Sequence, residues 1–193
     1  MTKQSSSTGF WLGTGLLALV VLGGGAAAPA KSVGPPPGLE QPCEHFTWAE
    51  LTRSGWAARN GVDNRPVSVE IYRRLARTAR GILDPLVDRT PYVVFVSSGY
   101  RNPTVNRGVD GYIHSDHLTG QGLDVILYRQ DGVALTSAEA ARAILNSQVP
   151  FDTLIWYGSD DHVHLSWAGA SPGRRRVQYA TSHGATPVTR MPA

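Results

Sequence analysis

A chain of 193 residues has room for one ordinary domain with a real core, plus tails. Its apolar share of 41% and charged share of 17% exclude wholesale disorder. The formal charge of +3 is partly carried by Arg174-Arg175-Arg176 without any nucleic-acid-reading motif, so a solvated basic tail is expected and nucleic acid is not. The single cysteine, Cys43, excludes an intramolecular disulfide and a four-cysteine metal site, and nothing around it would lower its pKa for catalysis.

From the N-terminus, Phe10 to Ala28 carries no charge and is dominated by Leu, Val, Ala and Gly, close to the ~20 residues that cross a bilayer. Two readings stand. A cleaved signal peptide fits the short start with Lys3 and the small residues Ala28 and Ala30 before Lys31. An uncleaved anchor fits the full length of the run. Either places the body of the protein outside the cytoplasm. Residues 31–43, with Pro35-Pro36-Pro37, read as an extended polyproline linker.

The folded part, 44–168, opens with Thr47 and Glu50 as a capping box, flanked by Phe46 and Leu51 at staple positions. The spacing predicts a short helix ending near Gly55, then turns at Asn60-Gly61 and Asn64-Arg65-Pro66. Ser68 caps a second helix whose stripe is Tyr72, Leu75, Ala76, Ala79, Ile82 and Leu83, with Arg73, Arg74, Arg77 and Arg80 on a solvated face. Val93 to Val96 is the strongest strand signal, and Leu123 to Tyr128 a second. Thr136 and Glu139 repeat the capping box ahead of a third helix. Thr153 to Tyr157 and His162 to Trp167 read as a hairpin. The fold class is α+β, with helices packed on a small, largely antiparallel sheet. Residues 169–193, turn-rich and polar, are expected to be a loosely ordered basic tail.

Three residues stand at spacings that suit a metal. His117 lies in a turn at Gly120, Asp124 on the strand leaving that turn, and His164 on a neighbouring strand. Nitrogen and oxygen donors of this kind, with one position left open for water, make a hydrolytic zinc site. Gly120 and Gly122 remove side chains where the backbone is expected to pass close to the metal.

The string Ser98-Gly99-Tyr100-Arg101, then Asn106, then Ser115-x-His117-x-x-Gly120-x-Gly122-x-Asp124, then Asp161-x-x-His164 resembles the zinc D-Ala-D-Ala metallopeptidase family. That family includes D-alanyl-D-alanine carboxypeptidases and phage L-alanyl-D-glutamate endopeptidases, and shares its fold with hedgehog domains. The resemblance runs from about His45 to Trp167, and Phe46-Thr47-x-x-Glu50-Leu51 with Asn64-x-Pro66 extends it. It implies that His117, Asp124 and His164 bind Zn2+, that Asp161 is the general base, and that Arg101 holds an oxyanion or the substrate's carboxylate. Tyr100 and Ser115 are expected to contact substrate beside Arg101. His162 departs from the common aromatic; it makes an HxH pattern with His164 and stands as a partner in the base or oxyanion role. His114 is expected to be a loop residue. The implied activity is hydrolysis of a peptide bond in the peptidoglycan stem by an exported monomer of the cell envelope or periplasm, membrane-bound if the N-terminal segment is uncleaved. A non-catalytic wall-binding module with the same fold is the alternative, disfavoured by Asp161 and Arg101.

Overall fold

Residues 32–158, 161–170, 173–181 and 184–187 are described by a computed structural model. The Phe10 to Ala28 run lies outside these residues. Among the described residues no helix is long and apolar enough to cross a membrane.

Local signals place the helices. The Thr47–Glu50 capping box forms and starts α1 (Trp48–Leu51), and the Thr136–Glu139 box starts α6 (Ser137–Ser147). The first helix stops earlier than expected, because Ser54 accepts a hydrogen bond from Ala57 and opens a separate α2 (Gly55–Arg59) at Gly55. Ser68 caps α3 (Val69–Thr78) as its position predicts. That helix then runs on through a π-turn (Ala79–Leu83) into α4 (Asp84–Arg89). Pro85 has no N–H to donate into the preceding turn, and the amide of Asp84 bonds back to the Ala79 carbonyl in the wider π pattern. α5 (Pro103–Gly108) follows β1.

The sheet is β1 (Val93–Ser98), β2 (Gly122–Tyr128), β3 (Thr153–Tyr157), β4 (Val163–Ser166), β5 (Arg176–Thr181) and β6 (Gly184–Pro187), in the order β1-β2-β4-β3-β5-β6. Every neighbouring pair is antiparallel except β3–β5. Strand alternation sorts the side chains. Leu123, Val125, Leu127, Leu154, Val163 and Leu165 join Leu75, Ile82, Leu83, Leu86 and Ile144 of the helices in one core. The intervening residues, Asp124 and His164 among them, face the other way.

Two segments differ from expectation. The linker does not stand off the domain. Val33 N–H donates to Pro66 O (3.0 Å), Tyr72 Oη to Val33 O (2.9 Å), Trp48 Nε1 to Leu39 O (2.8 Å) and Arg80 Nε to Pro42 O (2.7 Å). The extended segment leaves carbonyls without backbone partners, and these donors take them up, the exposed Arg80 among them. Cys43 is buried beneath it, and burial pushes its thiol up to about 12, which suits an inert packing residue. The described part of the tail is not loose either. β5 pairs with β3 from Thr153↔Arg176 to Tyr157↔Ala180, covering a strand edge that would otherwise lie open. Asp152 fastens the tail's approach, accepting from Ala168 N (2.7 Å), Arg174 N (3.0 Å) and Arg174 Nε (3.2 Å).

Asn64 joins the segments around β1's exit. Its Nδ2 donates to Thr52 O (2.9 Å) and Tyr100 O (2.8 Å), and its Oδ1 accepts from Asn102 N (2.9 Å), all buried or half-buried. Replacing Asn64 by Ala leaves these groups without their partner, at about 1–3 kcal/mol for a buried group so orphaned. Urea unfolding of Asn64→Ala is expected to show a loss of at least about 2 kcal/mol; a loss below ~0.5 kcal/mol would mean the side chain is not the joint.

Candidate active site

One row across the sheet builds the floor of the site. Ser98 pairs with Asp124, Asp124 with His164, and His164 with Ile155, so these side chains share a face. His117 enters from a 3-10 turn (Asp116–Thr119) just before β2, where Ser115 Oγ accepts from His117 N (3.4 Å). Gly120 ends that turn at φ +77°, a conformation that costs glycine little. An added Cβ there would meet Ile71 O at 2.9 Å, and one on Gly122 would meet His117 N at 2.8 Å. Both glycines therefore serve the packing of the turn against α3 and β2, and not a close approach to a metal.

His117 Nε2, Asp124 Oδ1 and His164 Nδ1 form a triangle with sides of 3.1, 3.1 and 2.9 Å. All three residues are buried. His117 Nδ1 lies 2.6 Å from Gly99 O. A carbonyl only accepts, so Nδ1 carries the proton and Nε2 presents its lone pair to the triangle. Burial lowers the His117 pKa, outweighing the pull of Asp124, and keeps the ring neutral. Burial alone would raise the Asp124 pKa, but His117 and His164 outweigh it and hold the carboxyl well below the usual range. Its second oxygen, Oδ2, accepts from Arg101 Nη2, while Arg101 Nε donates to Ser98 Oγ (2.8 Å).

The family model described as Peptidase M15 matches residues 44–166. The chain belongs to the Peptidase M15 family. None of the curated proteins compared with it matches. Peptidases of this family are zinc-dependent, and the donor set fits the metal. Zinc bonds nitrogen and carboxylate oxygen at about 2.0–2.2 Å, and donor atoms as close together as these could share one such ion. A carboxylate and a neutral imidazole lone pair aimed at one point repel each other unless a cation lies between them.

Around the triangle lies an open pocket of about 560 Å³. Of the other residues expected at the M15 site, Arg101, Ser115 and His162 line it. The His162 ring lies 4.5 Å from that of Tyr157. His162, just before β4, and His164 both line the pocket. Asp161 is exposed in the bend before β4 and is not among the lining residues. Asp161 precedes β4 and lies outside the strand, so of the two residues expected in the base role His162 is the one among the pocket's lining residues. Tyr100 is also corrected: it alternates with Arg101 and points into the core, 1% exposed, with its hydroxyl pushed up to about 12 by burial. His114 is an exposed loop residue on the pocket's rim, its ring 5.6 Å from that of Tyr112. Asp116, Tyr157, Arg176 and Gln178 line the pocket without having been singled out beforehand. Asp116 adjoins His117 in sequence, which was a usable signal; Arg176 and Gln178 come from the supposed tail, which gave none.

Zinc content tests the ligand set. The purified chain is expected to carry about one zinc, read by elemental mass spectrometry, and His117→Ala to lose most of it. Acidification from about pH 8 to about pH 5 should release the metal, because protons compete for the two ring nitrogens. Full loading in both His117→Ala and His164→Ala would place the metal elsewhere.

Proposed function

We propose that this M15 chain is an exported zinc peptidase that hydrolyses a peptide bond in the peptidoglycan stem, as a carboxypeptidase or endopeptidase. The observation that carries the reading is the converging His117–Asp124–His164 set on the floor of an open pocket flanked by Arg101 and His162. A non-catalytic binding module would have no use for such a donor set on the floor of an open pocket beside a proton acceptor.

Zinc held there supplies a Lewis acid and lowers the pKa of water at its open position. The chain's own residues do the rest. Arg101 fixes Asp124 through Oδ2, and its remaining N–H groups lie at the pocket wall where charge develops on the scissile carbonyl oxygen. His162 takes the proton of the attacking water and delivers it to the leaving amine. Tyr157 packs beside the His162 ring and limits its rotation. Ser115 holds the His117 turn and presents its hydroxyl side to the substrate.

Incubating the purified chain with zinc and defined muropeptides, read by mass spectrometry, tests the activity; intact substrates throughout would remove it. His162→Ala is expected to keep its zinc and lose ~10²–10⁴-fold in turnover, with Asp161→Asn much milder. The reverse order would return the base to Asp161. Export is tested by a C-terminal reporter active only in the cytoplasm, which should stay dark when the Phe10 to Ala28 run is intact.

A further inference from the structure

β5 does more than close the sheet edge. It lies beyond residues 44–166, the span matched by the family, yet it contributes Arg176 and Gln178 to the wall of the pocket. The register explains why. Ile155 pairs with both His164 and Gln178, so Gln178 extends the Asp124–His164 row by two strands. Arg176 pairs with Thr153 and stands one side-chain repeat along on the same face.

Of the two arginines that line the pocket, Arg176 is the one whose charge is not offset by a carboxylate among the described residues. Arg101 is already joined to Asp124 and Ser98. Arg176 is exposed, and its Nη2 donates to Thr153 Oγ1 at 3.1 Å, a neutral partner that aims the guanidinium without cancelling it. Among the described residues no carboxylate lies in ion-pair contact with it. The loop from Val109 to Asp116 forms another wall and carries Asp110 and Asp116, so the pocket is acidic on the loop and cationic on β5. A substrate with a carboxylate at one end of the reacting segment has one favourable direction in such a pocket.

With strands about 4.8 Å apart and a rise of about 3.3 Å per residue, two strands and two residues separate the backbones of His164 and Arg176 by about 12 Å. A long guanidinium side chain and one substrate residue together span that gap. We propose that Arg176 binds the free α-carboxylate of the residue that supplies the leaving amine. This deepens the peptidase reading and rests on it. Two stem-peptide residues present this chemistry: a terminal D-alanine, and a D-glutamate linked through its γ-carboxyl.

The test uses the purified full chain, its zinc content checked, on two substrate pairs. One pair is acyl-D-alanyl-D-alanine as free acid or terminal amide. The other is an L-alanyl-γ-D-glutamyl peptide with its α-carboxyl free or amidated. In one pair the wild type is expected to favour the free acid by about 10–100-fold in kcat/KM, mostly through KM, and that pair identifies the source. Arg176→Gln should bring acid and amide to parity by slowing the acid alone, with zinc content and melting temperature unchanged, and Arg176→Lys should recover part of the preference. An acid preference that survives in Arg176→Gln, or a wild type that cuts acid and amide equally, overturns the proposal while leaving the peptidase reading standing. If no substrate is cut, the peptidase reading falls, and calorimetric titration of the acid and amide forms into wild type and Arg176→Gln decides the carboxylate contact alone: tighter acid binding lost with Arg176 supports it, and equal or absent binding overturns it.

Discussion

The carboxylate of Asp124 is the constraint on which the site depends. It is buried on a central strand, and its two oxygens answer to different partners: Oδ1 to His117 and His164, Oδ2 to Arg101. A buried charge survives only when it is paired and hydrogen-bonded on all sides, and removing one partner leaves the others exposed to the full cost of desolvation. The arrangement is therefore collective. The strand register that sets His164 opposite Asp124, the turn that brings in His117 and the loop that carries Arg101 must all be right together. A cation at the triangle satisfies the remaining lone pairs, which is why metal affinity and local stability are one quantity at such a site.

How much of this was legible in the sequence depends on whether the cause was local. The two capping boxes, the Ser68 cap and the alternation of β2 are written in neighbouring residues, and they form as read. The set His117, Asp124 and His164 was readable because its residue types and spacings suit one task, and the chain brings them within a few ångströms. The failures share a different origin. β5 is recruited by the free edge of β3 and by Asp152, neither of which shows in the composition of residues 169–193. The proline segment reads as extended, and it is, but only the positions of Trp48, Tyr72 and Arg80 decide that it docks. Tyr100 was expected to contact substrate beside Arg101, but its large apolar ring is taken up by the core.

The sheet beyond β4 changes what kind of pocket this is. The Asp124–His164 pair on β2 and β4, with nothing beside β3, would lie in an open trough. β5 adds a wall whose polarity is opposite to that of the loop from Val109 to Asp116. The register of β5 on β3 places Arg176 and Gln178 on the face of Asp124 and His164, two strands from His164, and delivers both to the pocket.

The first short helix is tied to the chemistry through a single peptide. Thr47 and Glu50 cap each other reciprocally and fix α1, which ends at Leu51. The carbonyl of Leu51 accepts from Tyr100 N (2.9 Å), and Gly99 passes so near that a Cβ would lie 2.1 Å from Leu51 O. That close approach holds the Gly99 peptide with its own carbonyl turned to His117 Nδ1. The carbonyl can only accept, so it dictates which nitrogen of His117 carries the proton and which faces Asp124 and His164. A bulkier residue at 99 would push the strand exit away from α1, move the carbonyl, and release the imidazole to its other tautomer. The helix cap and His117 thus belong to one chain of contacts, which gives Ser98-Gly99-Tyr100-Arg101 a physical meaning: Ser98 accepts from Arg101, Arg101 holds the carboxylate, Gly99 sets the histidine, and Tyr100 anchors the segment in the core.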